Sequence, residues 1–402
     1  MAEKTGEKID IKSIGRAMVL DSPLIHIFED SRGMYVVQKP QKPGQLPHIT
    51  VNAATLPGAY ELTLNAVWDH GVFSRTHYDQ KAGEEYLHPP SKEATTIVNV
   101  LEPFKEPRMH NFIPGGYKEL ENYRQEVVEG IHDAWIKPGD TYWTYTYHER
   151  FKNWNPSVDL NREDRGFLLK RGINQIEKVV DDLVRDITSK GAQMTTWMPS
   201  ADPGLESNRP CLQRMWFRAY ELEDSSIGLN ANWYFRSRDV KAWFMNFWAL
   251  SSLHSHIADL LSERIQRPVY VMTESDGSDS LHFYGDFHKE FEARLKRIKT
   301  DENFKRNVFR SNVKKIPENE RTPAEEAFLD ETLKERARIE DNPHYNLNEK
   351  PREELAQRIA ENPDAYSERD RQFVERHYPY LIIPKNESWF GDHHRFMDGG
   401  IK

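Results

Sequence analysis

The chain has 402 residues, of which 38% are apolar and 11% aromatic, and its formal net charge is -9. That length and apolar content can bury a substantial core, in one large domain or in two to three smaller ones. The acidic balance argues against a nucleic-acid binder, although a local basic pocket can still hold a small anion. No apolar run approaches the roughly 20 residues that cross a bilayer, and the polar N-terminus does not resemble a signal peptide. We therefore expect a cytoplasmic protein that is not embedded in a membrane.

The sequence contains a single cysteine, Cys211. One cysteine cannot form an intrachain disulfide, and it disfavours a cysteine-based zinc site. No metal site is predicted. A lone cysteine is most often a small buried hydrophobic residue, so the residues around it decide whether a reactive role is credible.

The first part of the chain is predicted to be rich in β-strand. Residues 34–38, 60–67 and 95–101 are β-prone and partly alternating, and glycine and proline separate them. We expect each of the three to form a strand.

Helices and strands alternate in the middle of the chain. Residues 117–133 and 173–187 carry apolar residues at helical spacing. Residues 142–147 form a strongly β-prone run, and the charged stretch 155–171 is typical of a loop or an insertion. Alternating residues at 229–236 predict a strand with one buried face.

A long helix is predicted next, over residues 245–264, and the composition then becomes strongly charged. Thr322 to Glu325 has the pattern of a capping box, with proline at the first helical position. Helices are predicted near 323–341, 351–361 and 367–377. They are too polar for a deep core, so we expect a peripheral or partner-facing region.

Three regions are expected from these patterns. Residues 1–110 form the β-rich N-terminal part of a catalytic domain, residues 111–296 form its core, and residues 297–402 form a charged helical addition. No internal repeat is present.

The first chemical candidate is Cys211, which follows Pro210 at the entrance of an aromatic run. Arg209, Arg214 and Arg218 lie near it in sequence, and guanidinium charge lowers the pKa of a thiol and favours the reactive thiolate. An inert thiol in a strand, beside solvated arginines, explains the same pattern.

Arg236, Ser237 and Asp239 form the second cluster, at the end of the strand predicted over 229–236. Arginine and serine together can clamp an anion, and an aspartate can accept from an amino-heterocycle. Asn246, at the predicted start of the long helix, carries an amide that suits the O4 and N3–H edge of uracil. Each of these residues is also common at strand ends and helix starts.

A third candidate is the pair His282 and Tyr284, two residues apart. On a strand, both side chains point to one face, where they could hold a sugar hydroxyl. A pair of this kind is frequent by chance, so it carries little weight alone.

Taken together in chain order, these clusters resemble the thymidylate synthase family over about residues 140–295. The matching motifs are Tyr145 to Trp154, Asn174 to Glu177, Trp197 with Pro199, Pro210-Cys211 through Phe217, Tyr234 to Asp239, Asn246, and His282-Phe-Tyr284. The resemblance implies an α/β (α+β) fold with a large mixed sheet flanked by long helices. To this the chain adds a β-rich N-terminal extension and a helical C-terminal region.

The resemblance also implies the role of each site residue. Cys211 adds to C6 of a pyrimidine and so makes C5 nucleophilic, while Arg236 and Ser237 grip the 5′-phosphate. Asn246 reads the base edge, provided that one residue is deleted before it, and Asp239 lies toward the base and the folate.

The remaining implications concern the ribose, the one-carbon donor and the assembly. His282 and Tyr284 hold the ribose hydroxyl, and Tyr147 joins the catalytic candidates. The substrate is a pyrimidine nucleoside monophosphate, and the donor is 5,10-methylenetetrahydrofolate or a related reduced pterin. The family further implies a homodimer.

The chain departs from the family pattern in several positions. The pair of arginines that reaches the phosphate across the family's dimer is replaced by Ser189-Lys190-Gly191, and Arg75 is a candidate replacement. Leu212 stands where a histidine usually follows the nucleophile. The catalytic glutamate is assigned to Glu126, with Glu121 as the alternative, and either could instead be a solvated helix residue.

Three functions remain open on the sequence. Thymidylate synthesis from dUMP leads, and Asn246 favours uracil over cytosine. Residues 396–402 do not match the family's closing tail, so water addition and a 5-hydroxymethyl nucleotide are the second possibility. A catalytically silent nucleotide-binding scaffold is the third, and the retained cysteine argues against it.

Overall fold

The computed structural model describes residues 24–136, 145–154, 173–199, 202–203, 209–298, 305–340, 356–366, 371 and 374. These residues build one ten-stranded mixed sheet, two small two-stranded sheets and helices packed against the large sheet. The α/β class predicted from the sequence is confirmed. None of the described helices is both long enough and apolar enough to cross a membrane.

The strands of the large sheet come from the N-terminal region as well as from the core. They are β1 (Ile25–Asp30), β2 (Gly33–Gln38), β3 (His48–Ala53), β4 (Val72–Ser74), β7 (Ser91–Val100), β9 (Gln193–Thr195), β10 (Leu212–Glu221), β11 (Ile227–Phe235), β12 (Arg238–Asp239) and β13 (Val269–Phe283). The two small sheets pair β5 (Lys81–Ala82) with β6 (Glu85–Tyr86) and β8 (Met109–His110) with β14 (Val308–Phe309).

The large sheet has the order β1-β2-β3-β7-β13-β11-β10-β9, with β12 paired to β13 and β4 paired to β7. The pairs β3/β7, β11/β13 and β12/β13 are parallel, and the others are antiparallel. As a result the start of β10, the end of β11, β12 and the end of β13 meet at one end of the sheet.

The helices are α1 (Leu56–His70), α2 (Tyr117–Glu129), α3 (Tyr147–Lys152), α4 (Gln175–Arg185), α5 (Val240–Ile265), α6 (His288–Ile298) and α7 (Pro323–Glu340). One continuous apolar core joins the sheet to α1, α2, α4 and α5. The long helix α5 supplies much of it, because residues such as Trp243, Phe247 and Leu250 are almost fully buried.

One strand prediction was wrong: residues 60–67 belong to helix α1. Pro57 stands in the first turn, where its missing N–H costs nothing. Tyr60, Leu62 and Leu64 are buried together with their neighbours, so the helix is apolar on almost every side. An alternating pattern cannot be told from a helix that is buried all round, and here tertiary packing overrode strand propensity.

The described part of the β-prone run at 142–147, residues 145–147, is not a strand. Thr146 caps α3 by accepting from the Glu149 amide, and Tyr147 is the first helical residue. Residues 142–144 lie outside the described part of the chain, as does the loop predicted at 155–171. The cap explains the error, because a threonine in a β-prone run is equally a helix start.

The C-terminal region packs against the core through β14, whose Phe309 is buried there, and through α7. The predicted capping box of α7 is confirmed, since the Thr322 amide donates to Glu325 and the Glu325 amide donates back to the Thr322 hydroxyl. Phe328 then packs α7 against the core, with its ring centroid 5.5 Å from that of Tyr117. Of the other predicted helices, residues 356–361 are helical, whereas 351–355 and most of 367–377 are not described. Ala356, Ile359 and Val374 form a small second core around Ile136, which follows α2.

Candidate active site

Cys211 lies immediately before β10, at the end of the sheet where β11 finishes. Leu212 pairs with Phe235 across the two antiparallel strands, so the residues just beyond that pair, Cys211 and Arg236, become neighbours. The Arg236 amide donates to the Cys211 carbonyl at 2.9 Å, and its Nη2 lies 3.8 Å from Cys211 Sγ. The rest of the guanidinium is held by the carbonyl oxygens of Pro210 and Arg209, each at 3.0 Å.

The arginines that act on the thiol are not those expected from the sequence. Burial raises the pKa of Cys211, and the nearby guanidinium groups of Arg236 and Arg238 oppose that rise. Arg218 instead donates to the carbonyl of Ser189 at 3.0 Å, and the Arg214 guanidinium lies over the ring of Tyr234. Residues along a strand alternate between its two faces, so Arg214 and Arg218 are close to Cys211 in sequence without acting on its thiol. Burial outweighs the two opposing charges, and the pKa of Cys211 is raised overall.

Arg238 is a buried cation held in place by other groups. It is 3% exposed, pairs with the buried carboxylate of Asp276, and donates to Ser278 Oγ at 2.9 Å. Its guanidinium also lies 4.1 Å from the ring centroid of Phe235. A positive charge fixed in this way cannot turn toward solvent, so it contributes a steady field at the thiol.

Three tyrosines surround the thiol from the helical side. The Asn246 amide donates to Tyr123 Oη at 2.8 Å, the Tyr145 hydroxyl donates to the Arg209 carbonyl at 3.3 Å, and the Leu212 amide donates to Tyr147 Oη at 3.2 Å. Burial raises the pKa of all three phenols well above the usual value, and the nearby Cys211 adds to the rise. They therefore stay protonated near neutral pH. Tyr145 donates its proton to a carbonyl, whereas Tyr123 and Tyr147 accept in the contacts described and keep an O–H that can donate to a ligand.

Asn246 does not open the long helix, as the sequence indicated. Helix α5 begins at Val240, and Asp239 caps it by accepting from the Lys241 amide at 2.9 Å. Asn246 lies nearly two turns further in and is 6% exposed, where it meets Tyr123 of α2. The polar cap Asp239 sets the start, because its carboxylate satisfies an amide that has no partner within the helix. Burial raises the pKa of Asp239 to about 6.

His282 and Tyr284 lie at the end of β13, with ring centroids 4.4 Å apart, as the spacing predicted. Burial lowers the pKa of His282 to about 4, so the imidazole is neutral near physiological pH. Its Nδ1 meets Ser280 Oγ at 3.2 Å, and its buried Nε2 has no hydrogen-bond partner among the described residues. Burial raises the pKa of Tyr284 to about 12, with smaller contributions from nearby groups that include Asp239 and Cys211.

The two candidate glutamates lie on different faces of α2. Glu126 Oε2 is 2.6 Å from His132 Nδ1, and Glu126 stands one turn from Tyr123, which contacts Asn246. Glu121 is buried on another face and pairs with Arg124 at 2.9 Å. Glu126 therefore lies on the side of α2 that carries Tyr123, and Glu121 lies on the side that faces α7.

Arg75 is not brought to the thiol by any contact within the described residues. It pairs with Asp79 at 3.2 Å, donates to the His88 carbonyl at 2.8 Å, and stacks 3.8 Å from the ring centroid of Tyr86. The same loop reaches the site through Tyr78, whose ring lies 6.3 Å from that of Tyr284. Between them is a cleft of about 300 Å³.

Ser237 follows Arg236 and is half-buried, at the same end of the sheet. The sequence did not single out Tyr123, Arg238 or His132 as site residues. Tyr123 belongs to the apolar positions that predicted the helix over residues 117–133. Its spacing of three residues from Glu126 could have placed the two side chains near each other. No sequence pattern indicates the roles of Arg238 and His132, because both depend on contacts that form only in the folded chain.

A test of the thiol follows from its surroundings. Alkylation of Cys211 by iodoacetamide should speed up with rising pH, with a midpoint above the value of roughly 8.5 for a free thiol. Replacing Arg236 with glutamine should move the midpoint higher, because the larger opposing charge is gone. Arg214→Gln is the matched control and should leave it unchanged. Since the chain has one cysteine, intact-mass spectrometry reads the reaction directly. An unchanged midpoint in Arg236→Gln contradicts the assigned charge effect.

Comparison with known proteins identifies the family. The profile of the family "Thymidylate synthase" matches residues 112–320, just over half of the chain. Relatives named "Putative thymidylate synthase" include one from Methanosarcina mazei, 26% identical over 212 residues, and one from Methanococcoides burtonii, 24% identical over 210 residues. Each alignment covers 52% of this chain and 80% of the relative. A solved structure, thermostable thymidylate synthase A from Bacillus subtilis, aligns with 60% of this chain and 84% of its own at 12% identity. The TM-score of that alignment is 0.41.

Proposed function

Because this chain belongs to the thymidylate synthase family, we propose that it transfers a one-carbon unit to C5 of a pyrimidine nucleoside monophosphate, with dUMP to dTMP as the leading reaction. The observation that carries the proposal is the placement of the only thiol, Cys211, 3.8 Å from Arg236 at the end of the sheet. His282 and Tyr284 lie at the same end of the sheet. Asn246 donates to the hydroxyl of Tyr123, which is near Cys211.

Cys211 supplies the nucleophile in this proposal. Its Sγ forms a bond to C6 of the pyrimidine, and the electron pair of the C5–C6 double bond moves toward C5 and the C4 carbonyl. Covalent addition of this kind turns a poor carbon nucleophile into a good one. Burial raises the pKa of the thiol, and the positive charges of Arg236 and Arg238 oppose that rise and favour the thiolate.

The other residues hold the substrate and manage protons. Arg236, with Ser237 beside it, binds the 5′-phosphate, because a guanidinium fork matches phosphate oxygens. Asn246 contacts the base edge, and the protonated hydroxyls of Tyr123 and Tyr147 donate toward the enolate oxygen that develops at C4. The buried, unpartnered Nε2 of His282 and the Tyr284 hydroxyl hold the ribose. Glu126, held by His132, exchanges the proton at C5.

The family uses 5,10-methylenetetrahydrofolate as its cosubstrate, and the residues around the thiol are compatible with it. The cleft of about 300 Å³ beside Tyr284 is lined on its other side by Tyr78, Asp79 and Gln80, which offer ring and polar surfaces. Bound there, the folate supplies the one-carbon unit and, for a methyl product, the hydride. In the proposal Tyr78 and Tyr284 orient it, and Asp239 lies toward it.

The nature of the product tests the proposal. Incubating the protein with dUMP and methylenetetrahydrofolate, with mass spectrometry of the nucleotide and absorbance of dihydrofolate, separates the possible reactions. A methyl product with matching dihydrofolate supports thymidylate synthesis. A hydroxymethyl product without dihydrofolate replaces it with nucleotide hydroxymethylation. No product from dUMP, dCMP, UMP or CMP overturns the proposal in favour of a silent homologue.

A homodimer is part of the proposal, and the face of the large sheet opposite the helices is its contact surface. Ile97, Tyr220 and Tyr270 are 46%, 55% and 51% exposed there. Around Ile97 this face carries short polar side chains, as in the contact of Asn99 Nδ2 with Asn52 Oδ1 at 2.9 Å, and near Tyr220 it carries Arg218. Flat, half-apolar sheet surfaces of this kind mark protein interfaces.

Changing Ile97 to arginine should convert the dimer to a monomer, because the new charge lies near the centre of the contact face. Val184, 42% exposed on α4, offers the control, and Val184→Arg should keep the dimer. Light scattering after size exclusion gives the mass directly. Wild-type protein that is already monomeric at assay concentration, or an Ile97→Arg variant that stays dimeric, refutes this surface.

A further inference from the structure

A second cavity, of about 290 Å³, lies away from the thiol, between the catalytic core and the C-terminal addition. We name it the basic cleft. Helices α2 and α5 form one wall, and residues 311–315 with α7 form the other. Its lining residues that matter here are Arg108, Glu121, Arg124, Trp248, Lys314, Lys315, Phe328 and Arg336. It shares no residue with the lining of the cleft beside Tyr284.

The charges of the basic cleft are strongly unbalanced. Five of its lining residues are cationic, and Glu121 is the one carboxylate among them. Glu121 pairs with Arg124 at 2.9 Å and with Arg336 at 2.6 Å. Lys314 and Lys315 are exposed and make no ion pair with any described residue. Glu106, near the rim, accepts from Ser311 and Asn312, so it is occupied by hydrogen bonds of its own.

Arg108 is the deepest of these cations. It is 7% exposed and has no carboxylate within ion-pair distance among the described residues. Its Nε donates to the Pro103 carbonyl at 2.7 Å and its Nη2 to Ser251 Oγ at 3.4 Å. Burial lowers its pKa to about 10, and the nearby carboxylates of Glu274, which accepts from Ser251, and of Glu106 oppose that shift without pairing directly with the guanidinium. A buried guanidinium without a direct counterion is costly, and an anion entering from the cleft would offset that cost.

Aromatic rings form the apolar part of the basic cleft. The Arg108 guanidinium lies 4.6 Å from the ring centroid of Trp248, and the Trp248 and Phe328 rings meet edge to face with centroids 6.4 Å apart. Arginine and lysine donors beside a flat aromatic wall suit a phosphate group and the ring it is attached to. Surface lysines alone would not distinguish such a ligand from any other anion.

We propose that the basic cleft is a binding site for a phosphate-bearing anion, distinct from the substrate site. The phosphate contacts Lys314, Lys315 and Arg108, and any ring carried on it rests against Trp248 and Phe328. Inorganic phosphate and a nucleoside monophosphate share this chemistry, and the experiment separates them.

The basic cleft shares two helices with the candidate active site. Helix α2 carries Glu121 and Arg124 on the cleft side, and it carries Tyr123, which contacts Asn246, and Glu126 on another side. Helix α5 places Trp248 in the cleft two residues after Asn246. A ligand that orders these helices is expected to change the affinity of the substrate site, and linkage makes the effect reciprocal.

The test uses the full chain carrying Arg236→Gln, which removes the principal phosphate ligand of the substrate site. Calorimetric titration with inorganic phosphate, and separately with dTMP, at constant ionic strength should show one saturable site. Adding Lys314→Gln and Lys315→Gln should weaken that binding by at least about tenfold, the effect of losing one to two charge-assisted contacts. The matched control adds Lys289→Gln and Lys296→Gln, two exposed lysines of α6, and should keep the affinity.

Each outcome decides the proposal. Saturable binding of phosphate, or of dTMP alone, that only the cleft variant weakens supports the site and identifies the source of the phosphate. Equal weakening in both double variants shows general charge screening and overturns it. No saturable binding of either probe overturns it as well. Because the readout is heat of binding, the result does not depend on turnover.

Discussion

Replacing Cys211 with alanine should lower product formation by about four orders of magnitude or more, as loss of a covalent nucleophile does in other enzymes. The chain has no second cysteine to take over, and C5 of a pyrimidine does not attack a one-carbon donor unless C6 has been substituted. Product is quantified by mass spectrometry of the nucleotide. Folding should survive, because the polar contacts of Sγ with the described residues are long, 3.8 Å to Arg236 and 3.9 Å to the Arg209 carbonyl, and alanine keeps the Cβ that packs at the edge of the core.

Nucleotide binding provides the control for Cys211→Ala. Arg236, His282 and Tyr284 remain in place, so the Kd for the nucleotide should change little while kcat collapses. Thermal unfolding of the variant should match that of the wild type within a few degrees. A variant that keeps its turnover excludes covalent catalysis by this residue, and one that also loses nucleotide binding points to a collapsed site.

Replacing Glu126 with glutamine should lower kcat by about 10² to 10⁴-fold, the range for a general acid–base group. Glu126 lies one turn from Tyr123 on α2, and His132 Nδ1 holds it at 2.6 Å. Glutamine keeps the shape and the hydrogen-bond acceptor but cannot exchange a proton. KM for the nucleotide should therefore change far less than kcat, and steady-state kinetics measures both.

Glu121→Gln is the matched variant on the same helix. Its carboxylate pairs with Arg124 and Arg336 on the face toward α7, so its loss should lower the melting temperature and leave kcat within a few-fold. Breaking such a partly buried pair costs about 1–3 kcal/mol. If Glu121→Gln abolishes turnover and Glu126→Gln does not, the assignment of the catalytic glutamate is reversed.

Local sequence patterns predicted the helices and strands correctly where the spacing of apolar residues and the capping residues agreed. The strands at β2, β7 and β11, the helices α2 and α4, and the capping box of α7 were all predicted. They failed at α1, where Tyr60 and its neighbours are β-prone but buried on almost every side. They failed again at Thr146, since the same residue can continue a strand or cap a helix. Burial and the position of neighbouring elements decide such cases, and neither is written in a local window.

The sequence by itself determined the chemical inventory of the site: one thiol, Arg236 and the His282–Tyr284 pair, in a collinear order that identified the family. Only the tertiary structure decided which charges reach Cys211, because Arg236 and Arg238 come from the neighbouring strands while Arg214 and Arg218 point elsewhere. The tertiary structure also places Glu121 and Glu126 on different faces of α2, and it forms the basic cleft by packing α7 against the core. The effect of a charge on a pKa depends on the distance between the groups and on their burial. The order of residues along the chain gives neither quantity, because the sheet sets both when it brings its strand ends together.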